Sequence, residues 1–348
     1  MAQIWRQWTL GLMAVLFAVA GGLPAFGEPA VTSGSVARLV VLFPQVVGAV
    51  YVLGLQDSVI GLPKDRLKMA RDAKDGFYYR FAPNIGSSED VGFPGKPNME
   101  TLFALHPDLV LSTDETVHPT PANKLLRENG IKVLALKAGF GSVDEWLMAV
   151  RLIAKHTGRE GQALRYEAFF RERLRLVRER VAGIAEEKKP KVALVNTNNG
   201  QLIIRGARTR FGHELIRIAG GRTIAPGNDS GDLNANAELL FKFDPDIVID
   251  DTLTNMLETV SWWKELNAVK NNKIYRTPQD DPGSFVTNWS MNTFSPLGLL
   301  WLAKMFHPAE FADIDLDAER NAFYKTVFGA EYRPYPPAVE ANDAGRDR

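Results

Sequence analysis

The sequence predicts an α/β fold in which two Rossmann-like lobes with central parallel sheets are joined by a single long α-helix. Short apolar runs alternate with helical patterns in both halves of the chain, and this alternation is typical of a parallel sheet covered on both faces. A fourteen-residue segment occurs once in each half, and a stretch rich in helix-forming residues separates the two copies. Together these observations predict a duplicated architecture.

The chain of 348 residues begins with a pattern typical of a secretory signal peptide. Arg6 precedes an apolar run over residues 10–20, and small residues stand at Ala25 and Gly27. We expect residues 1–27 to be removed on export, which would place the mature protein in the periplasm. An N-terminal membrane anchor is the alternative, but the run is shorter than the ~20 apolar residues that a spanning helix needs.

Composition bounds the possible partners and sites. The 41 basic residues balance 41 acidic ones, without a long block of either sign, so we expect no nucleic-acid partner. The chain has no cysteine, which excludes disulfides, thiolate metal ligands and a lipid-modified N-terminal cysteine. These features predict an exported monomer that is not anchored to a membrane.

The two lobes are predicted to span residues 36–142 and 190–330. In the first lobe, apolar runs bounded by turn residues occur at 38–43, 108–112 and 132–138. In the second lobe, equivalent runs occur at 191–196, 246–250 and 273–278. Each set predicts buried strands of a parallel sheet.

Residues 143–189 are predicted to be helical and to include the interlobe helix. From 159 to 189 the sequence has no proline, and apolar residues recur at helical spacing. A continuous helix over this stretch would be about 46 Å long. A helical hairpin within one lobe is the alternative, but no turn signal precedes Gly183. Residues 331–348 are predicted to form a disordered tail.

The repeated segment reads NMETLFALHPDLVL at 98–111 and NAELLFKFDPDIVI at 236–249, and seven positions are identical. In each copy an asparagine is a candidate helix N-cap, and a proline ends the helix before the next strand. Glu100 and Glu238 fall in the first helical turn, where the helix dipole favours an anion by ~0.3–1 kcal/mol. This effect explains one such glutamate, but not its presence in both copies.

Candidate ligand-binding residues follow the predicted strands, because ligands of open parallel sheets bind beyond the carboxyl ends. Aromatic faces beside guanidinium groups suit a planar, anionic chelate. For any single residue, packing in the core or exposure on the lobe surface is an equally good interpretation. The predicted ligand-binding residues are Tyr78, Tyr79, Arg80, His118, Arg205, Arg208, Asp251 and Trp289.

No motif predicts catalysis. The segment at 213–217 begins like a zinc-protease helix, but Arg217 stands where the second histidine ligand would be needed. No dinucleotide fingerprint, P-loop or nucleophile elbow occurs. We therefore predict a binding protein that is not an enzyme and has no resident cofactor. An exported enzyme that uses the interlobe cleft and a scaffold without a small ligand are the alternatives.

The repeated segments, the long helix, GRTIAP at 221–226 and the ending at 296–329 together resemble class III periplasmic substrate-binding proteins of ABC importers. The resemblance covers residues 36–330. It implies capture of a metal chelate and its delivery to a permease dimer in the inner membrane. Glu100 and Glu238 match the glutamates that dock on permease arginines in that family.

The resemblance leaves the identity of the cargo open. A ferric siderophore is the first expectation, from its frequency in the family and from the Arg, Tyr and Trp content of the predicted cleft. Haem, cobalamin and an oxyanion such as molybdate are the alternatives. A lone histidine before a proline is usually a turn residue, but the resemblance also allows His118 to ligate a metal centre of the cargo. No further metal ligand is assigned.

Overall fold

The computed structural model contains two large β-sheets with helices on both faces of each, and a small two-stranded sheet beside the first. It describes residues 36–72, 75–93, 95–116, 120–137, 142–198, 201–205, 210–223, 233–234, 237–250, 264–282, 284–290 and 293–335. The predicted signal peptide lies outside these ranges. Within them, no helix combines the length and the apolar character needed to cross a membrane.

The N-terminal lobe contains seven strands and five helices in the described ranges. The strands are β1 (Leu39–Val41), β2 (Val59–Leu62), β3 (Glu89–Asp90), β4 (Gly92–Phe93), β5 (Lys96–Pro97), β6 (Leu109–Thr113) and β7 (Val133–Leu136). The helices are α1 (Val47–Val52), α2 (Lys64–Asp72), α3 (Phe77–Phe81), α4 (Met99–Ala104) and α5 (Ala122–Glu128). Five strands form one parallel sheet in the order β3-β2-β1-β6-β7, and β4 and β5 form a separate hairpin.

Two helices connect the lobes, α6 (Val143–Thr157) and α7 (Glu160–Val181). Helix α6 begins at a capping box formed by Ser142 and Glu145 and ends at Gly158, which has a φ of 68°. Helix α7 is unbroken but shorter than predicted, with 22 residues and a length of about 33 Å. It ends in a turn at residues 182–183 instead of continuing to Lys189. Gly183 is therefore the signal for the end of the helix, which the sequence analysis placed too late.

The C-terminal lobe has a mixed sheet with a parallel centre. The strands are β8 (Lys191–Asn198), β9 (Gln201–Ile204), β10 (Arg222–Thr223), β11 (Leu233–Asn234), β12 (Ile247–Asp250) and β13 (Ile274–Arg276). The helices are α8 (Arg210–Ile218), α9 (Ala237–Phe243), α10 (Asn267–Lys270), α11 (Ser295–Phe306) and α12 (Leu316–Phe328). The sheet order is β11-β9-β8-β12-β13, with β10 also beside β8. Among the described strands of this sheet, β9 is antiparallel to both of its neighbours, β8 and β11, and the other pairs are parallel.

Both sheets contribute one face to a shared core. Leu39 of β1 and Leu111 of β6 enter this core from one sheet, while Leu194 of β8 and Ile249 of β12 enter it from the other. Helices α6, α7, α11 and α12 fill the space between them, and α7 packs against the other three. Alternate strand residues point to the opposite faces, where each lobe has an outer core of its own.

The two copies of the repeated segment fold alike. Each gives a helix and then a strand: α4 and β6 in the first copy, α9 and β12 in the second. Between helix and strand, His106 and Asp244 occupy equivalent positions with φ values of 44° and 45°. Leu102 and Leu240 are fully buried at equivalent positions, one in each outer core. The repeat is therefore a structural unit that closes the outer face of each sheet.

The repeated aspartate holds the start of the neighbouring strand in both lobes. Asp108 Oδ2 accepts hydrogen bonds from the amides of Ala37 and Arg38 at 3.0 and 2.9 Å. Asp246 Oδ2 accepts one from the amide of Lys191 at 2.7 Å. The Arg38 side chain also donates to the carbonyl of Leu105, the C-cap of α4, at 2.7 Å, and the Lys191 side chain donates to that of Phe243, the last residue of α9, at 3.1 Å. The starts of β1 and β8 are therefore held by equivalent hydrogen bonds, one set in each lobe.

The predicted disordered tail begins later than expected. Residues 331–335 are described, and Tyr335 is buried beside α3 with the Arg80 guanidinium 3.8 Å from its ring centroid. Arg80 Nη1 also donates to the Arg333 carbonyl at 2.6 Å. The prediction of disorder from residue 331 was therefore wrong for this short stretch, because its tyrosines supply apolar area. Residues 336–348 lie outside the described part of the chain.

We expect replacement of either repeated aspartate to destabilise the protein. Asp108→Ala and Asp246→Ala remove a charged acceptor from strand-entry amides, which should lower the free energy of unfolding by about 1–2 kcal/mol each. Urea unfolding followed by circular dichroism measures this. Glu100→Ala, on an exposed side chain of the same segment, is the matched control and should change stability by less than about 0.5 kcal/mol. Equal effects of all three variants would contradict the strand-entry role.

Candidate functional site

The carboxyl ends of the parallel strands define the candidate binding edge of each sheet. Phe43 follows β1 and Asp114 follows β6 in the N-terminal lobe, while Thr277 follows β13 in the C-terminal lobe. The two lobes meet on this side, because the Phe77 amide at the start of α3 donates to Asp281 Oδ2 at 2.7 Å. The seam between the lobes is therefore the place where a ligand of this fold is expected.

The segment after β13 forms a closed loop at this seam. We call residues 278–282 and 284–290 the seam loop. The Trp289 amide donates to the Pro278 carbonyl at 2.9 Å, and Gln279 and Asn288 form an antiparallel bridge. The Gln279 side-chain amide donates to the carbonyls of Asp281 and Ser284, both at 2.9 Å. These bonds make the loop a rigid unit that touches both lobes.

Asp280 is the most unusual group of the seam loop. Only 2% of its side chain is exposed, and Arg320 Nη1 lies 3.8 Å from Oδ1, too far for a good hydrogen bond. The indole Nε1 of Trp289 donates to the same oxygen at 3.0 Å. Burial raises the pKa of Asp280 to about 6, although Tyr324, Arg320 and Trp289 favour its charged form. The carboxyl group therefore changes charge close to neutral pH.

Three of the predicted ligand-binding residues lie near the seam, but their side chains contact other parts of the protein. Tyr78 is 1% exposed in the shared core, where burial raises its pKa. The Tyr79 hydroxyl packs so closely on Gly86 that a Cβ atom there would lie 1.9 Å from it. Arg80 is engaged with the tail at residues 333–335. Tyr78 is therefore part of the core, while Tyr79 and Arg80 are partly exposed and are engaged with Gly86 and with the tail.

Trp289 is also part of the interior, with 3% of its surface exposed. Together with Trp301, Leu194 and Ile249 it lines a cavity of about 20 Å³ beneath the C-terminal sheet. This volume is close to that of a single water probe, so the cavity has no room for a chelate. The indole is a structural member of the seam loop in this conformation.

Arg205 lies beside the middle of β8 and not at its carboxyl end. Its amide donates to the Leu194 carbonyl at 3.0 Å, which sets it level with the centre of the strand. Its carbonyl accepts from Nε2 of the buried His213 at 2.9 Å. Nδ1 of the same imidazole is hydrogen-bonded to the Thr223 hydroxyl. Sequence analysis considered His213 only as part of an incomplete zinc-binding motif. In the structure its side chain connects α8 to β10 and to the residue that follows β9.

The remaining predicted ligand contacts, His118, Arg208 and Asp251, lie outside the described residues. Nearby, Asp114 accepts hydrogen bonds from the hydroxyl and the amide of Thr116, which hold its pKa below the usual value. It therefore keeps a negative charge at the carboxyl end of β6. Within the described ranges, no group of three or more histidines and carboxylates is arranged to hold a metal ion.

Glu100 and Glu238 occupy equivalent, exposed positions in the first turns of α4 and α9. In the described part of the chain, neither carboxylate has a hydrogen bond or an ion pair. The leucines, prolines, aspartates and valines shared by the two copies all have matching roles in packing or strand entry. For the two glutamates, the described residues supply neither a hydrogen bond nor an ion pair.

Sequence analysis did not single out Asp280, Asp281 and Arg320. The two aspartates stand next to each other a few residues after β13, so the rule that polar groups beyond strand ends form sites could have found them. Arg320 lies on the distant helix α12 and comes close only through tertiary packing. No local pattern marks it.

Comparison with known proteins places this fold in a family. A family model described as periplasmic binding protein matches residues 39–280. The molybdate-binding protein MolA of Haemophilus influenzae is 23% identical over 286 residues, covering 74% of this chain and 77% of MolA. The Fe(3+)-citrate-binding protein YfmC of Bacillus subtilis is 26% identical over 257 residues, covering 71% of this chain and 75% of YfmC.

Solved structures share the two-lobed fold. MolA bound to molybdate superimposes with a TM-score of 0.72 and 20% identity, covering 86% of this chain and 95% of MolA. A periplasmic solute binding protein from Veillonella parvula also gives a TM-score of 0.72 at 20% identity, with 86% and 90% of the two chains covered. Since the family model spans most of both lobes and the interlobe helices, the chain belongs to the periplasmic binding protein family.

Proposed function

We propose that this protein is the substrate-binding component of an ABC importer, exported to the periplasm, where it delivers a small cargo to a permease dimer. The relatives that support this include a molybdate-binding protein, a Fe(3+)-citrate-binding protein and a protein of a high-affinity heme uptake system. The cargo binds at the seam between the lobes and leaves chemically unchanged. No resident cofactor is part of the proposal.

The pair Glu100 and Glu238 is the observation that carries the proposal. Two exposed carboxylates at equivalent positions of a structural repeat offer two equal charges in related settings, one on each lobe. A dimeric partner with two equal basic sites would match such a pair. Because the fold leaves both carboxylates without a partner in the described chain, docking accounts for a feature that packing does not.

A ferric siderophore is the cargo we place first, as an anionic chelate in the range that the relatives suggest. His118, Arg208 and Asp251 are the contacts that we retain for it, whereas Arg205, level with the middle of β8, is not. An oxyanion such as molybdate is the second candidate, because MolA resembles this chain in both sequence and fold. Cationic side chains of the second lobe would bind either class of anion.

The fold favours capture by a small movement. Helices α6 and α7 pack in the core shared by both sheets, so wide hinge opening would expose apolar surface at about 25 cal/mol per Å². We therefore expect the lobes to close on cargo through a small rotation. Opening for release would then require work from the importer, driven by ATP hydrolysis in the cytoplasm.

Reversal of both docking charges should abolish delivery while leaving binding intact. In the double variant Glu100→Lys/Glu238→Lys, each lobe would present a cation to a basic permease site and be repelled. Cargo uptake by cells that carry the variant should fall to the level of a deletion strain, while the affinity of the purified protein for cargo stays within twofold. Both can be measured with cargo isolated from the native protein.

The matched control is Glu128→Lys/Glu265→Lys, which makes the same charge change on exposed residues outside the repeat. This control should transport like the wild type. Normal cargo uptake by cells with Glu100→Lys/Glu238→Lys would contradict the docking role. An equal loss of uptake in both double variants would indicate a general effect of charge instead.

Cargo retained on the natively purified protein should identify the ligand class. We expect metal analysis to find iron in near-equimolar amount, together with an organic chelator detected by native mass spectrometry. Equimolar molybdenum without a chelator would select the oxyanion. An organic ligand that contains no metal would contradict both cargo assignments while leaving the importer role open.

A further inference from the structure

The seam loop joins parts of the chain that are far apart in sequence. Asp281 accepts from the Phe77 amide of the N-terminal lobe, and Asp280 lies next to Arg320 of the C-terminal helix α12. The loop also abuts α11, because a Cβ atom at Gly298 would lie 2.0 Å from the Trp289 carbonyl oxygen. Any loosening of this loop therefore loosens the contact between the lobes.

The carboxyl group of Asp280 sits at the centre of these contacts with incomplete charge compensation. From α12, Arg320 lies at 3.8 Å, but its Nη2 donates to the exposed Asp317 at 2.6 Å. Tyr324 of the same helix faces Asp280, and burial raises its pKa so that it stays neutral. Within the seam loop, Asp281 adds a second negative charge.

The elements packed around this group supply little further positive charge. Burial raises the pKa of Tyr335, in the tail, to about 12, and that of Tyr332 is also raised by burial, so both remain neutral. Arg80 of α3 lies over the Tyr335 ring at 3.8 Å and donates to a tail carbonyl. An ionised carboxylate in this place is therefore costly, whereas a neutral carboxyl group is not.

We propose that Asp280 is a proton-operated latch of the lobe seam. The neutral carboxyl group tolerates the dry seam, whereas the ionised carboxylate requires hydration that the closed seam does not provide, because Trp289 and Arg320 compensate its charge only in part. Ionisation therefore loosens the loop and its contact with α3. The latch is a property of the protein without cargo. Its role in setting how readily the lobes release cargo rests on the proposed transport function.

The direction of the pH effect follows from linkage. The pKa of Asp280 is higher in the folded protein, about 6, than the ordinary value of 3.8, so the folded state binds the proton more tightly. The stability contributed by the neutral form is full below the ordinary pKa and is lost as pH rises through about 6. The seam should therefore be tight at pH 5 and looser at pH 7.5.

The indole N–H resonance of Trp289 tests the latch directly. In ¹H–¹⁵N spectra of the full cargo-free protein, this resonance, assigned through Trp289→Phe, should titrate with a midpoint near pH 6. Trp146 is the internal control, because its Nε1 donates at 2.9 Å to Tyr166, whose pKa is raised by burial and which stays neutral. Asp280→Asn keeps an acceptor oxygen but cannot ionise, so the Trp289 titration should disappear.

Hydrogen exchange reports the lobe contact. After correction for intrinsic rates, the Phe77 amide should exchange several-fold faster at pH 7.5 than at pH 5 in the wild type, and equally at both pH values in Asp280→Asn. Glu128→Gln changes an exposed carboxylate on α5, outside the seam loop and α12, and should behave like the wild type. A Trp289 resonance that does not titrate, or a Phe77 amide whose exchange keeps its pH dependence in Asp280→Asn, would overturn the latch.

Thermal unfolding distinguishes a folded Asp280→Asn variant from one that fails to fold. Asp280→Asn should melt about 2–6 °C above the wild type at pH 7.5, and this difference should shrink below pH 5 as the native carboxyl group becomes neutral. A variant that is less stable at both pH values would count against the latch. None of these measurements uses cargo or permease, so failure of the latch and failure of the transport role are separate outcomes.

Discussion

The packing of four helices between two sheets is the constraint on which the rest of the structure depends. Residues of both sheets and of α6, α7, α11 and α12 form one continuous apolar core. Since separation of the lobes would open that core to water, we expect the angle between the lobes to change little. This arrangement determines the positions of the seam loop and of the two repeated glutamates.

The repeated segment shows how a duplicated architecture can serve structure and recognition together. Its leucine and valine cover the outer face of each sheet, its aspartate holds a neighbouring strand, and a residue with positive φ redirects the chain between helix and strand. Selection for the same local fold explains these shared residues. Glu100 and Glu238 are left as surface charges placed by that fold at equivalent points of the two lobes.

The sequence was most informative where a pattern has one physical meaning. Buried strands, the helix cap at Asn98 and the interlobe helix follow from periodicity and capping chemistry, and the structure confirms them. The end of α7 was misplaced because helix-forming residues continue past Gly183. The C-terminal sheet also contains an antiparallel strand, β9, that the search for parallel strands did not reveal.

Ligand contacts were harder to predict, because an aromatic or arginine side chain near a strand end can face a cleft or the interior. Tyr78 and Trp289 were drawn into the core by their apolar area, and Arg80 was taken by the tail. Asp280 is significant only through its burial and its distant neighbour Arg320. Such groups depend on tertiary packing, which one-dimensional patterns do not encode.

A distance measurement between the lobes tests the shared core most directly. The chain has no cysteine, so Lys124→Cys on α5 and Asn271→Cys after α10, both at exposed positions, can carry spin labels without further changes. If the helices brace the lobes, pulsed electron–electron double resonance of the cargo-free protein will give one narrow distribution of distances between the two labels. A broad or bimodal distribution would mean that the lobes swing independently, and the account of a braced seam would fail.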